Sequence, residues 1–230
     1  MMKLLVSVRT VAEAAIAAEG GADFIDLKEP RAGALGGLPV AVIGDIVGAL
    51  RASGCRLPVS ATIGDLPMHD VEDIVQQARA VAACGVDYVK VGIERGDGAA
   101  AVLQALSALP FAVVPVFIAD HGLDLGLVAT ALHFPGVMAD TADKLSGSLF
   151  DCVPVAGLQR FVALARSAGT MVGLAGALRH THLPMLAALS PDFAGFRSAV
   201  CRGDRGSALD AALLRGLADA VTGRRNPVPG

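Results

Sequence analysis

The sequence predicts a single-domain (β/α)₈ barrel, the TIM-barrel fold. Three observations lead there. Short, continuous apolar runs alternate eight times with stretches of helical spacing across 230 residues. Glycines and prolines stand where those helical stretches should stop. Ionisable residues gather at the C-terminal ends of the apolar runs, where a barrel carries its site.

Taken in order, Leu4–Val8 is the first run, with helical spacing over Val11–Glu19 and a stop at Gly20-Gly21. Phe24–Lys28 is the second, followed after a glycine-rich loop by Val40–Ala52 and Gly54. Pro58–Thr62 and Val71–Ala83 make the third unit, ending at Gly85; Tyr88–Gly92 and Ala99–Leu109 make the fourth, ending at Pro110. Val113–Ile118 and Leu123–Leu132, then Gly136–Asp140 and Val155–Ala168 with Gly169, are the fifth and sixth. Met171–Leu174 with Leu183–Leu189, and Phe193–Arg197 with Ser207–Val221, complete eight. Continuous rather than alternating runs suit parallel strands covered on both faces. No Pro- or Ser-rich linker divides the chain, so residues 1–222 are assigned to one domain and 223–230 to a loose tail. A doubly wound open sheet is the competing fold, but the turn after the first run is Ser7-Val8-Arg9-Thr10, with no GxGxxG.

Composition narrows the function classes. The chain is 53% hydrophobic and 18% charged, with a net charge of −3. That balance predicts no attraction to nucleic acid or anionic membrane, and one Tyr with no Trp offers no base-stacking surface. The N-terminal apolar run is too short for a signal peptide, and no stretch is long enough to span a membrane. A soluble, cytoplasmic protein is expected. Cys55, Cys84, Cys152 and Cys201 have no CxxC pair and read as reduced thiols; Cys201 is notable for lying near the proposed phosphate loop. No histidine spacing, His180-x-His182 included, supports a metal site, and no metal or organic cofactor is expected. The sequence leaves a homo-oligomer open.

Two lysines sit inside apolar runs: Lys28 closes Phe24-Ile25-Asp26-Leu27-Lys28, and Lys90 lies in Tyr88-Val89-Lys90-Val91-Gly92. A buried ammonium needs a partner or a shifted pKa, and an activated lysine forms Schiff bases with carbonyls. Asp26, two residues from Lys28 on one strand, shares its face and is expected to orient Lys28 or shuttle its protons. Lys90 alternatively snorkels from a strand end. Asp120 and Asp140 close the fifth and sixth runs as acid/base candidates, with Lys144 four residues after Asp140; Asp120 equally suits a helix cap. His121 is a candidate proton relay with an incidental role as the alternative. Strand ends poor in ionisable groups are expected on the opposite face.

A phosphate site is expected from the seventh and eighth units. Gly173-Leu174-Ala175-Gly176 and Gly195-Phe196-Arg197-Ser198 supply glycines for close backbone approach and an arginine for a bidentate contact. Gly173, Gly176, Arg197 and Ser198 are therefore assigned to phosphate, with Ser7 and Arg9 at the neighbouring first strand end. The loop Glu29–Pro39 reads as a flap, with Arg31 placed to grip a second phosphate.

These blocks, above all Asp26-Leu27-Lys28-Glu29-Pro30 with Lys90 and Asp140-Thr141-Ala142-Asp143-Lys144, resemble the (5-formylfuran-3-yl)methyl phosphate synthase family, also called 4-(hydroxymethyl)-2-furancarboxaldehyde-phosphate synthase. The resemblance runs nearly end to end. It implies a (β/α)₈ lyase of methanofuran biosynthesis in methanogens and some methylotrophs. Such an enzyme condenses two glyceraldehyde 3-phosphates, losing phosphate and water. It implies that Lys28 is the Schiff-base lysine and Lys90 a proton-transferring lysine, with Asp26, Asp140 and Lys144 at other polar positions of the site. Another Schiff-base aldolase or transaldolase-like enzyme acting on a sugar phosphate, and a non-catalytic barrel binding a phosphometabolite, are the alternatives.

Overall fold

Eight parallel strands pair in sequence order and close, first on last, into a barrel. The computed structural model describes residues 1–33, 35–143 and 147–223. The elements run β1 (Lys3–Val8), α1 (Val11–Glu19), β2 (Phe24–Leu27), α2 (Val40–Ala52), β3 (Val59–Thr62), α3 (Val71–Ala82), β4 (Tyr88–Ile93), α4 (Ala99–Ser107) and β5 (Val113–Ile118). They continue through α5 (Leu125–Thr130), β6 (Gly136–Asp140), α6 (Leu149–Cys152), α7 (Val155–Ser167), β7 (Met171–Leu174), α8 (Leu183–Leu189), β8 (Phe193–Phe196) and α9 (Ala211–Thr222). The fold is the predicted TIM barrel, with one short helix, α6, that the sequence reading did not contain. The tail at 224–230, and Lys144 with its two following residues, lie outside the described residues.

Strand periodicity sorts the side chains. One parity of each strand packs outward against the helices, where Val6, Ile25, Val89, Val91, Val137 and Ala194 join the main core. The other parity points inward. Leu5, Phe24, Val114, Val116, Met138 and Phe193 form a second apolar cluster inside the barrel. Because both parities are buried, the strands read as continuous apolar runs. Gly173 is an interior position where size is the constraint: a Cβ there would lie 2.1 Å from Phe193 Cζ.

The two ends of the barrel are capped differently. At the N-terminal end, Asp23, Asp87 and Asp192 accept from the backbone N–H of Leu4, Val59 and Val172, each at 2.7 Å. This corrects the expectation that these ends are poor in ionisable groups: the carboxylates there close strand ladders. At the C-terminal end the β2–α2 loop folds back over the barrel. Leu35 is fully buried in the interior cluster, its N–H donating to Asp65 Oδ1 at 2.9 Å, and Thr62 Oγ1 donates to the Gly36 carbonyl at 3.0 Å. Among the described residues, no helix is long and apolar enough to cross a membrane.

Candidate active site

Sheet register assembles the site. Ser7 pairs with Asp26 across β1–β2, and Asp26 with Ser60 across β2–β3, so three inward side chains stand in one row. Asp26 Oδ2 accepts from Ser7 Oγ at 3.1 Å, and Oδ1 accepts from Ser60 Oγ at 2.6 Å and from Lys90 Nζ at 2.9 Å. Lys28 follows β2 and donates to Asp140 Oδ2, at the end of β6, at 3.3 Å. The other oxygen of Asp140 accepts from the Thr141 N–H at 2.8 Å. Lys28, Lys90, Asp26 and Asp140 are 6, 3, 1 and 3% exposed, so both ion pairs are buried. Buried charges must be paired and hydrogen-bonded, and these are.

The pairing differs from the expected one. Asp26 does not pair with Lys28 on its own strand but with Lys90 two strands away, and Lys28 reaches across the mouth to Asp140. Side chains two apart on a strand stand roughly parallel about 6.5 Å apart. Closure of the barrel brings groups from other strands nearer.

The four charged residues line one cleft, open to solvent, at the C-terminal mouth, with Ser7, Gly176, Ser198 and Arg205. Gly176 (φ +112°) and Ala177 (φ +46°) are consecutive left-handed residues on its rim. Ala177 pays steric strain there that a glycine would avoid, so the turn is held by its surroundings. A Cβ on Gly176 would lie 2.9 Å from Thr141 Oγ1.

Several assigned residues do other work. Arg197 is not available to a phosphate. Its five N–H donors all have protein acceptors: Nε the Arg205 carbonyl (2.9 Å), Nη1 the Ser7 carbonyl and Glu13 Oε2 (3.0 and 2.7 Å), Nη2 Glu13 Oε1 and the Ser207 carbonyl (3.0 and 2.6 Å). Burial alone would raise the Glu13 pKa, but the Arg197 hydrogen bond and charge, with the Arg9 and Leu209 N–H groups, bring it below its ordinary value. Gly173 packs under Phe193, below the mouth, rather than cradling an anion. Asp120 accepts from the Ala142 and Asp143 N–H groups at 2.5 and 2.9 Å, tying the β5 and β6 loops together away from the cleft. Arg9 and Arg31 both donate to the Gly206 carbonyl, at 2.8 and 3.2 Å. His121 is exposed and offers its carbonyl to Arg95 at 2.8 Å. Cys201 is buried, which pushes its thiol pKa up and away from reactivity.

Arg205 is the cleft residue that sequence reasoning missed. It lies in the turn Gly203-Asp204-Arg205-Gly206 of the loop between β8 and α9, on the side of the barrel where sites are built, so a charged residue between glycines was the available signal. Burial lowers its pKa from the ordinary arginine value, while the nearby Asp140 charge acts the other way.

Comparison with known proteins agrees with this architecture. Solved structures with the same fold include a phosphoribosyl anthranilate isomerase from Thermus thermophilus (TM-score 0.68, 18% identity, covering 97% of this chain and 100% of that one). Another is the 3-hexulose-6-phosphate synthase from Salmonella typhimurium (TM-score 0.67, 17% identity, 97% and 100% covered). A sequence relative in Archaeoglobus fulgidus, a (5-formylfuran-3-yl)methyl phosphate synthase, is 38% identical over 96% of this chain and 100% of its own length. A putative synthase of the same name in Methylorubrum extorquens is 38% identical over 95% and 91%, and the Methanosarcina barkeri synthase 33% identical over 94% and 97%. The profile of the 4-HFC-P synthase family matches residues 4–218. With relatives of this similarity along nearly its whole length, the chain belongs to the (5-formylfuran-3-yl)methyl phosphate synthase family.

Proposed function

We propose that the enzyme condenses two molecules of glyceraldehyde 3-phosphate into (5-formylfuran-3-yl)methyl phosphate through a Schiff base on Lys28, as an early step toward methanofuran. One observation carries the proposal: two buried lysines, each on an aspartate, face a single cleft at the barrel's C-terminal mouth. A purely structural ion pair has no need of a cleft, nor of a second pair beside it.

In this reading the Lys28 amine attacks a triose phosphate carbonyl, and water leaves as the imine forms. The iminium is an electron sink, which lets a base remove the adjacent proton to give an enamine. Lys90 and Asp26, hydrogen-bonded at 2.9 Å, are the pair for that transfer. The enamine carbon then bonds to the second aldehyde. Loss of one phosphate, ring closure, further loss of water and release of the lysine leave an aromatic furan; in sum, two triose phosphates give the product, one phosphate and two waters. No oxidant is needed. Asp140 remains beside Lys28 throughout, and Lys144 is assigned to the same site by the family resemblance.

Borohydride reduction in the presence of glyceraldehyde 3-phosphate, with peptide mass mapping, tests the proposal, alongside the ultraviolet absorbance of a phosphorylated furan. The adduct should fall on the peptide holding Lys28. An adduct on a peptide without Lys28, or normal turnover by Lys28→Ala, would remove the mechanism. A carbon–carbon bond formed without a furan would favour the aldolase alternative.

A further inference from the structure

Among the described residues, most charges that line the cleft stand against an opposite charge at ion-pair distance. Lys28 stands on Asp140, Lys90 on Asp26 and Arg197 on Glu13. Arg205 lines the same cleft, half-buried, and among the described residues its guanidinium has no hydrogen bond or ion pair. A cation in this setting, with five donors facing a cavity, suits an anionic guest.

The backbone that presents this side chain is fixed. Arg197 donates to the carbonyls of Arg205 (2.9 Å) and Ser207 (2.6 Å), and Arg9 and Arg31 both donate to the Gly206 carbonyl between them. The Asp204 carboxylate accepts from the Gly206 N–H at 2.8 Å. Three guanidinium groups, from β1's end, the β2–α2 loop and β8's end, thus hold three consecutive carbonyls. An ordinary surface turn needs none of them. The left-handed pair Gly176-Ala177 and Ser198 belong to the same lining.

We propose that Arg205 grips the phosphate of the triose held at Lys28, and that Arg9, Arg31 and Arg197 are positioning residues acting through its backbone. The identity of the guest rests on the function proposed above. The fork of a guanidinium matches two phosphoryl oxygens, and a charge-assisted contact of this kind is stronger than a neutral one. Arg205 thereby selects phosphorylated over plain aldehydes.

The test uses the full-length protein and two probes. Inorganic phosphate binding, followed by calorimetry, should weaken about 10- to 100-fold in Arg205→Ala and be partly restored in Arg205→Lys. Since among the described residues the side chain makes no hydrogen bond or ion pair, neither variant should lower the thermal midpoint much. Borohydride trapping in Arg205→Ala should fall much more with glyceraldehyde 3-phosphate than with unphosphorylated glyceraldehyde. Arg31→Ala, at an exposed residue, should weaken phosphate several-fold while leaving glyceraldehyde trapping unchanged. Phosphate affinity in Arg205→Ala or Arg205→Lys equal to wild type overturns the assignment, as does a wild-type protein that does not bind phosphate. The phosphate arm decides the role of Arg205 even if no adduct forms at Lys28, which would instead remove the imine.

Discussion

Glu13→Gln separates an arginine that builds the site from one that binds its ligand. The Glu13 carboxylate is 5% exposed and accepts four hydrogen bonds: Arg197 Nη1 and Nη2 at 2.7 and 3.0 Å, the Arg9 N–H at 3.0 Å and the Leu209 N–H at 3.2 Å. At 2.7 Å and an effective dielectric of about 20, the bare attraction is roughly 6 kcal/mol. Glutamine keeps the shape but loses the charge, and its NH₂ must face donors. Breaking one side of a buried pair costs about 3–5 kcal/mol, a large share of the 5–15 kcal/mol typical of a whole fold. Urea unfolding at neutral pH, followed by circular dichroism, should show that loss.

The pH dependence supplies the sign. Glu13's folded pKa lies below its ordinary value of 4.5, so the unfolded chain binds its proton first as pH falls. Its contribution is fully present above about pH 4.5 and is lost as pH drops through the folded value. The gap between wild type and Glu13→Gln should therefore be widest near neutrality and narrow below pH 4.5. Replacing both partners, in Glu13→Gln with Arg197→Met, should recover part of the loss, because no unpaired charge remains. A gap under about 1 kcal/mol, or one that does not change with pH, refutes the anchor. So does a stable Glu13→Gln protein that binds phosphate more tightly than wild type, since that would mean the freed guanidinium had found an anion.

Two further outcomes follow. Asp26→Asn strips the carboxylate from Lys90 Nζ at 2.9 Å and turns an NH₂ toward Ser7 or Ser60; it should lose about 3–5 kcal/mol in urea unfolding and, under the proposed function, most of the furan-forming activity. Gly173→Ala places a methyl 2.1 Å from Phe193 Cζ and should cost about 1–3 kcal/mol of stability with phosphate affinity unchanged, whereas an anion-cradling role predicts the reverse.

The elements were legible because barrel strands are buried on both faces and their connections end in glycine. Three helices begin and end where the spacing places them, Val11–Glu19, Val40–Ala52 and Leu183–Leu189. The others differ at their ends for local reasons. The ninth starts at Ala211 rather than Ser207 because the Asp210 carboxylate accepts from the Ala212 and Leu213 N–H groups, which leaves the preceding residues free to form the arginine-held turn. The short helix Leu149–Cys152 has only a capping box, Ser148 with Asp151, to announce it, and four residues are too few for a periodic signal. At the site, parity put Asp26 and Lys28 on one face of their strand, but which ammonium meets which carboxylate depends on register and closure. Arg197 shows the same limit. Its position after β8 is that of a phosphate ligand, and only the distant Glu13, 184 residues earlier, reveals how it is used.

The crossed pairing bears directly on imine chemistry. Were Asp26 bonded to Lys28, one carboxylate would have to hold the nucleophile and also serve the base. Instead each lysine has a carboxylate at hydrogen-bond distance, so in the proposed mechanism a proton would move at Lys90 on a different carboxylate from the one beside Lys28. An iminium carries the same single positive charge as the ammonium it replaces, so Asp140 at 3.3 Å from the Lys28 nitrogen is matched before and after condensation. The amine must still lose a proton to attack, and that carboxylate is an acceptor within hydrogen-bond reach. Beneath the pairs lies the apolar cluster of Leu5, Phe24, Val114, Met138 and Phe193. Water therefore reaches the nitrogen from the mouth and not from below, and under the proposed mechanism a guest whose phosphate occupies that mouth would shield its own imine from hydrolysis. Selection for a phosphorylated aldehyde and protection of the covalent intermediate would then, on this proposal, be two consequences of one contact.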